Sequence, residues 1–167
     1  TVFGEGPPLA RVMMVGEQPG DQEDLQGRPF VGPAGKLLDR AMAEAGLNRR
    51  AVYLTNAVKH FKHEPRGKRR IHEKPNAGEI DACRWWLDIE RQLVRPQMIV
   101  ALGATALRGI LGRTVAVTAM RGTSQTLPDG ATLFTTVHPS YLLRIRAEAG
   151  YAQDYARFVG DLREVAA

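Results

Sequence analysis

A concentration of basic side chains in the middle of the chain is the first feature that could do chemistry. The segment from Lys59 to Lys74 contains seven lysines and arginines but only two acids, Glu64 and Glu73. Its net charge of +5 equals that of the whole chain, so the remaining residues balance to neutrality. Because the excess is confined to one segment, it favours a local contact with a polyanion such as nucleic acid. A solvated surface loop would have the same composition, and charge alone does not separate the two interpretations.

Histidines are the second group of candidates, because an imidazole can be a nucleophile, a hydrogen-bond donor or a metal ligand. His60, His63 and His72 lie in the basic segment, and His138 stands directly before Pro139. A metal site built from all four is disfavoured, since His60 and His63 have no cysteine or fixed carboxylate near them in the sequence. His138 could cap the helix that follows it. Alternatively, it could donate a hydrogen bond to a leaving group that gains negative charge.

The stretch from Gly16 to Lys36 is rich in glycine and proline and carries acids that could serve in an active site. It is not a phosphate-binding P-loop, because Leu37 follows Lys36 where that motif requires serine or threonine. Phe30 in this stretch could be a core residue or could stack on a base. Asn56 could form a turn, or its amide could read the edge of a base.

The elements that must position these residues alternate between strands and helices. Short apolar runs predict four strands, at Arg11–Val15, Val52–Ala57, Met98–Leu102 and Thr132–Val137. Apolar residues at helical spacing predict helices at Lys36–Ala45, between Asn76 and Pro96, at Thr105–Leu111 and at Tyr151–Val165. This order predicts a three-layer α/β/α fold around a central, mainly parallel four-stranded sheet. Small strands could form in the less regular stretch between Val115 and Asp129.

The candidate residues all follow the ends of predicted strands. The loop after Gly16, the basic segment after Asn56 and the sequence His138-Pro139-Ser140 each come directly after a strand. Ligands of open α/β sheets bind beyond the carboxyl ends of the strands. The sequence therefore predicts that these segments converge on one edge of the sheet.

Length and composition predict the setting of the protein. A chain of 167 residues fits one domain covering 1–167. No apolar run approaches the roughly 20 residues needed to cross a bilayer, so no membrane contact is expected. Cys83 is the only cysteine, which predicts a reducing, cytoplasmic location. We also expect a monomer that uses no nucleotide cofactor.

Four short motifs together resemble the uracil-DNA glycosylase superfamily, in particular its family 4. In chain order they are Gly16-Glu17-x-Pro19-Gly20, Gly27-Arg28-Pro29-Phe30-Val31-Gly32, Leu54-Thr55-Asn56 and His138-Pro139-Ser140. The combination is specific and extends over nearly the whole chain. The resemblance implies excision of uracil from DNA, as a step of DNA repair.

The resemblance also implies roles for individual residues. Phe30 is expected to stack on uracil, Asn56 to bond its Watson–Crick edge, and His138 to stabilise charge developing on O2. Backbone groups around Gln18 and Asp21 are expected to complete the uracil pocket.

Two departures from family 4 resemble the subgroup known as UdgX, which becomes covalently joined to the abasic sugar. Gln18 replaces the usual alanine of the first motif, and the stretch from Arg66 to Lys74 looks inserted. The resemblance implies that His72 attacks C1′ and that Glu17 stabilises the sugar cation and orients or deprotonates His72.

The inserted stretch is also expected to hold DNA. Lys68, Arg69 and Arg70 would contact DNA phosphates, and single-stranded DNA would be the preferred substrate. Two alternatives stay open, namely a conventional glycosylase that turns over and a non-catalytic module that binds single-stranded DNA.

Family 4 also implies a 4Fe–4S cluster with four protein ligands. Two of them correspond to His60, where most members have cysteine, and to Cys83. The upstream Cys-x2-Cys pair of the family has no counterpart from Thr1 onward, so the ligand set in this chain is incomplete. Cys83 could equally be a small buried residue on its helix.

Overall fold

Seven strands occur in the computed structural model, which describes every residue from Thr1 to Ala167. In chain order they are β1 (Val12–Gly16), β2 (Val52–Asn56), β3 (His63–Arg66), β4 (Arg69–His72), β5 (Met98–Leu102), β6 (Ser124–Thr126) and β7 (Thr132–Thr136). Five of them form the central sheet in the order β2-β1-β5-β7-β6. Strands β2, β1, β5 and β7 run parallel, which confirms the predicted parallel sheet.

The central sheet has five strands, whereas the sequence predicts four. Strand β6 pairs antiparallel with β7, so that Ser124 lies opposite Phe134 and Thr126 opposite Thr132. It lies in the stretch for which the sequence predicts no more than small strands. Three residues are too few for the alternation of a strand to be recognised in a sequence. For that reason β6 is not among the four predicted strands.

Helices cover both faces of the sheet. They are α1 (Asp21–Gln26), α2 (Pro33–Ala45), α3 (Ala77–Val94), α4 (Ala104–Leu111), α5 (Val117–Met120), α6 (Pro139–Arg144) and α7 (Tyr151–Ala166). Val12 and Met14 of β1 pack with residues of α2, α6 and α7, whereas Met13 and Val15 pack with residues of α3 and α4. Because successive side chains of a strand point to opposite faces, one apolar run supplies both halves of the core.

The basic segment folds as a hairpin rather than as the predicted loop. Strands β3 and β4 pair antiparallel, with His63 opposite His72 and Arg66 opposite Arg69. Gly67 makes the turn with φ of +61°, in the left-handed region that glycine adopts without strain. The segment carries charged residues where apolar alternation would indicate a strand, so its sequence does not predict this pairing.

Two six-residue helices are not among the four helices that apolar spacing predicts. Helix α1 follows Gly20, and helix α6 begins at Pro139 directly after His138. They are too short to show helical periodicity in a sequence. None of the helices has the length and apolar character needed to cross a membrane.

Candidate active site

Three side chains meet above Gly16, the last residue of β1. A β-carbon added at Gly16 would lie 2.6 Å from Oδ1 of Asn56, 2.6 Å from Cζ of Phe30 and 3.3 Å from Nε2 of His138. Any larger residue would therefore overlap Asn56 and Phe30 and crowd His138, the three side chains expected to bind uracil. Gly16 forms the floor on which the structure brings them together at the carboxyl edge of the sheet.

The position of Phe30 is held by the chain around it. Its φ of +53° is uncommon for a residue other than glycine, and such conformations persist only when the surroundings enforce them. The Arg49 guanidinium donates hydrogen bonds to the carbonyl oxygens of Phe30, at 3.0 Å, and of Pro29, at 3.2 Å. A β-carbon at Gly35 would lie 2.0 Å from the Phe30 carbonyl oxygen, so α2 can approach only through glycine. The Phe30 ring stacks near His138, with the ring centroids 6.2 Å apart.

Asn56 is anchored from behind by Lys59, which is fully buried. The Lys59 ammonium donates hydrogen bonds to the Asn56 carbonyl oxygen at 2.5 Å and to Thr55 Oγ1 at 2.7 Å, and it forms an ion pair with Glu90. Burial lowers the pKa of Lys59, and the Glu90 carboxylate partly offsets that effect. Lys59 opens the predicted nucleic-acid segment, but its charge faces the interior. The prediction that the DNA-contacting segment starts at Lys59 is therefore wrong.

His138 is held as a neutral hydrogen-bond donor. Its Nδ1 accepts a hydrogen bond from the Ser140 amide at 3.1 Å and lies 2.8 Å from the Ser140 hydroxyl. Burial lowers the pKa of His138 to about 4, despite the opposing effect of Glu17. Because Nδ1 accepts from a backbone amide, the single proton of the neutral ring resides on Nε2. That nitrogen is the one that faces the space above Gly16.

Glu17 lies between His72 and Thr105. Its Oε1 is 3.2 Å from Nε2 of His72, and its Oε2 accepts a hydrogen bond of 2.7 Å from the Thr105 hydroxyl. Burial alone would raise the pKa of Glu17, but the interactions with His72 and Thr105 outweigh burial and lower it. The carboxylate is therefore ionised at neutral pH, and half of the His72 side chain stays open to solvent.

Gln18 clamps the base of the hairpin. Its Nε2 donates hydrogen bonds to the carbonyl oxygens of Lys62 and Glu73, both at 3.2 Å, and its Oε1 accepts from the Lys62 amide at 3.3 Å. Lys62 precedes β3 and Glu73 follows β4, so one buried amide joins both strands. The side chain of Gln18 is thus committed to the hairpin, and only its backbone is available for the predicted uracil contact.

Arg70 ties the hairpin to α1. Its guanidinium donates to Oδ1 of Asp21 at 2.7 Å and to Oδ2 of Asp24 at 2.6 Å, and it lies 5.2 Å from the centroid of the Phe61 ring. The Asp21 side chain is engaged in this contact. As with Gln18, only the backbone of Asp21 is available for the predicted uracil contact. The Arg70 guanidinium is paired with two acids, which differs from the phosphate role expected for it.

Lys68 and Arg69 differ from Arg70 in their surroundings. Both side chains are exposed at the tip of the hairpin, and neither forms an ion pair. They match the predicted phosphate contact in charge and exposure.

A single cleft of about 1110 Å³ connects these residues. Glu17, Phe30, Asn56, His72 and His138 all line it. It extends past His138 to Arg144 of α6, to Arg121 directly after α5 and to Arg157 of α7. The space is continuous from His72 of the hairpin to the three side chains above Gly16.

Two contributors to this geometry are not predicted by the sequence. Thr105 lies in the first turn of α4, where a hydroxyl is ordinarily taken for a capping residue, and Arg49 begins a short 3-10 helix, Arg49–Ala51, that no motif marks. Only their contacts with Glu17 and with the Phe30 carbonyl reveal them. Since both contacts join segments that are distant in the chain, no local pattern could have indicated them.

The residues present do not by themselves form an iron–sulfur site. His60 is exposed, with Nδ1 3.5 Å from the Thr1 hydroxyl, whereas Cys83 is buried against Val58 and Ile80. Nowhere in Thr1–Ala167 do three or more histidine, cysteine or acidic side chains group as a metal ion would require. A 4Fe–4S cluster takes four ligands, so His60 and Cys83 alone do not hold one.

The chain is similar to several known proteins. Residues 3–163 match the profile of the uracil DNA glycosylase superfamily. The chain is 42% identical to a type-4 uracil-DNA glycosylase of Thermotoga maritima over 147 residues, which cover 87% of this chain and 73% of the relative. It is 39% identical to that of Sulfurisphaera tokodaii over 150 residues, covering 85% and 65%. It is 37% identical to that of Pyrobaculum aerophilum over 167 residues, covering 95% and 82%.

Proposed function

The chain belongs to the uracil DNA glycosylase superfamily, and we propose that it excises uracil from DNA and then captures the abasic sugar on His72. Uracil excision for DNA repair is the activity that the similarity to type-4 enzymes supports. The capture step is our own addition. The observation that carries it is the 3.2 Å approach of His72 Nε2 to Glu17 Oε1 at the rim of the cleft.

Uracil binds above Gly16 in this proposal. Phe30 stacks on the base, and the Asn56 amide bonds its Watson–Crick edge. Support comes from the convergence of both side chains with His138 at the Gly16 floor. Because Phe30 and Asn56 are already fixed in position, they do not have to be ordered when the base binds.

His138 assists departure of the base. When the bond between uracil N1 and C1′ breaks, its electron pair moves onto the uracil ring and charge develops at O2. The neutral ring of His138 donates its Nε2–H to that oxygen, and a donor already in place stabilises the charge at no cost of reorganisation. The pKa of about 4 supports this role, because a neutral donor is present throughout the physiological range.

His72 captures the sugar in the next step. The C1′ centre left behind is positively charged and faces the Glu17 carboxylate. The unprotonated nitrogen of the neutral His72 ring donates its electron pair to C1′ and forms the new bond. The remaining ring proton passes to Glu17 and then to the uracil anion, so charge and atoms balance. The adduct persists because an alkylated imidazole is a poor leaving group.

Lys68 and Arg69 hold the DNA backbone in this arrangement. Their exposure at the hairpin tip supports contacts with phosphates that flank the flipped nucleotide. We propose a preference for single-stranded DNA, because no pairing or stacking with a complementary strand must be broken before the base enters the cleft. The protein acts on this substrate as a monomer.

A denaturing gel tests the proposal directly. The protein is incubated with a uracil-containing single-stranded oligonucleotide. We expect a new band whose apparent mass exceeds that of the oligonucleotide by the mass of one protein molecule. A matched thymine oligonucleotide should give no such band. The His72→Ser variant should lose the band and still release some uracil. Uracil release by the unaltered protein without any shifted band would instead identify a conventional glycosylase. Equal binding of the uracil and thymine oligonucleotides, without release of uracil, would identify a non-catalytic binding module.

We propose His60 and Cys83 as the two ligands that this chain would contribute to a 4Fe–4S cluster. The cluster is consistent with the similarity to type-4 enzymes, but no step of the reaction above depends on it. Analysis of iron and acid-labile sulfide in the purified protein, and in a Cys83→Ala variant, tests the assignment. Equal iron in both would exclude Cys83 as a ligand.

A further inference from the structure

We propose that Thr105 is a positioning residue that biases Glu17 toward capture of the sugar by His72 and away from hydrolysis. This inference rests on the proposed function, because it concerns how the same sugar cation is divided between two products. One product is the histidine adduct, and the other is a free abasic site.

The contact that carries the inference is the hydrogen bond of 2.7 Å from the Thr105 hydroxyl to Glu17 Oε2. Thr105 is 5% exposed and belongs to the first turn of α4, so its hydroxyl has little freedom to move away. The preceding Gly103 has φ of +96°, and a β-carbon there would lie 3.2 Å from Cβ of His138. The turn that presents Thr105 is therefore packed against the uracil pocket.

The two oxygens of Glu17 have different environments. Oε1 faces the His72 ring, and Oε2 accepts from Thr105. A water that uses the carboxylate as its base without displacing His72 would approach Oε2. The Thr105 hydroxyl already holds that oxygen, and it competes with the water for the position.

The same hydrogen bond weakens Glu17 as a base. It stabilises the ionised carboxylate and contributes to lowering its pKa. An attacking water must give up a proton as it bonds to C1′, so its rate depends on the strength of the base. A neutral imidazole attacks through a lone pair that already exists, and its proton leaves after the bond has formed. A weaker base therefore slows the water more than it slows His72.

Hydrolysis is the competing step. Water bonds through oxygen to C1′, one of its protons passes to Glu17 Oε2, and the hydroxyl stays on the sugar. Uracil has already left with the electron pair of the broken bond and takes that proton from Glu17. The result is an abasic site, free uracil and an unmodified protein that can act again.

The test measures the ratio of the two products in a single turnover. Adduct is quantified on a denaturing gel, and free abasic DNA by alkaline cleavage. Thr105→Val removes the hydroxyl and keeps the shape, while Thr105→Ser keeps the hydroxyl. Thr135→Val is the matched control, because the hydroxyl of Thr135 is buried and has no hydrogen-bond partner.

We expect Thr105→Val to raise the ratio of abasic DNA to adduct about tenfold, the size of effect that follows loss of one hydrogen bond to a charged group. Thr105→Ser and Thr135→Val should keep the ratio of the unaltered protein. If Thr105→Val does not fold, Thr105→Ala removes the same hydroxyl with less bulk beside Glu17. An unchanged ratio in a folded variant without the hydroxyl would overturn the inference and leave the proposed function standing. Absence of adduct from the unaltered protein would instead overturn the proposed function.

Discussion

His72 and Glu17 lie in contact, with Nε2 3.2 Å from Oε1, although one ends a surface hairpin and the other follows the first strand of the sheet. The contact depends on the placement of the hairpin as a whole. Gln18 joins its two strands at the base, and Arg70 ties it to α1. The structure thus separates residues that would react from residues that hold the reactive ones in place, and each class predicts a different experimental outcome.

Loss of the Gln18 clamp should reduce capture more than excision. Gln18→Ala removes three hydrogen bonds between the side chain and the hairpin, each worth about 1 kcal/mol. We expect adduct formation to fall at least about tenfold while uracil release changes little, because His138 and Asn56 are untouched. Gln22→Ala, an exposed position in α1, is the control. Single-turnover assays of adduct and free uracil measure both steps, and a proportional loss of the two would contradict this division.

Arg70 and Arg69 should differ in their response to salt. Arg69 is exposed at the hairpin tip, so Arg69→Gln should lower DNA affinity and reduce the slope of log affinity against log salt by about 0.7 for one phosphate. Arg70 contacts Asp21 and Asp24, so Arg70→Gln should lower adduct formation and leave that slope unchanged. Fluorescence titration of a single-stranded oligonucleotide at several salt concentrations gives the slopes. Arg11→Ala, an exposed arginine directly before β1, serves as the control.

Acid should destabilise the protein through His138. Its pKa in the folded state is about 4, below the ordinary 6.5, so the unfolded chain takes up a proton first as the pH falls. The stability that His138 contributes is fully present above about pH 6.5 and is lost toward pH 4, up to about 3 kcal/mol. Urea unfolding of the protein and of a His138→Gln variant between these pH values measures the difference. Equal pH dependence in the two proteins would count against the buried neutral ring.

Lys59 should matter for folding and hardly for DNA affinity. Lys59→Met leaves Glu90 buried without its cation, and breaking a buried pair costs about 3–5 kcal/mol. The exposed Lys68→Met is the matched control and should leave the free energy of unfolding nearly unchanged. A double variant, Lys59→Met with Glu90→Gln, should recover part of the loss. Chemical denaturation measures all three, and a stable Lys59→Met single variant would show that the ion pair contributes little.

The four parallel strands of the sheet, and the edge at which the site lies, follow from the sequence. Apolar runs such as Met98–Leu102 predict buried strands, because only a strand covered on both faces carries apolar residues at every position. Parallel strands place their carboxyl ends together, so the residues that follow β1, β2 and β7 had to meet. Asn56 and His138 stand at such strand ends and Phe30 lies in the loop after β1, while their expected roles came from the family resemblance; the structure gathers all three at Gly16.

The surroundings of each charged side chain follow only from tertiary contacts. Lys59, Lys68, Arg69 and Arg70 look alike in the sequence, yet one is buried, two are exposed and one is paired with acids. Composition records charge but not burial, and burial depends on contacts between segments far apart in the chain. The approach of His72 and Thr105 to Glu17 has the same origin, since it needs the hairpin, β1 and α4 to pack together first.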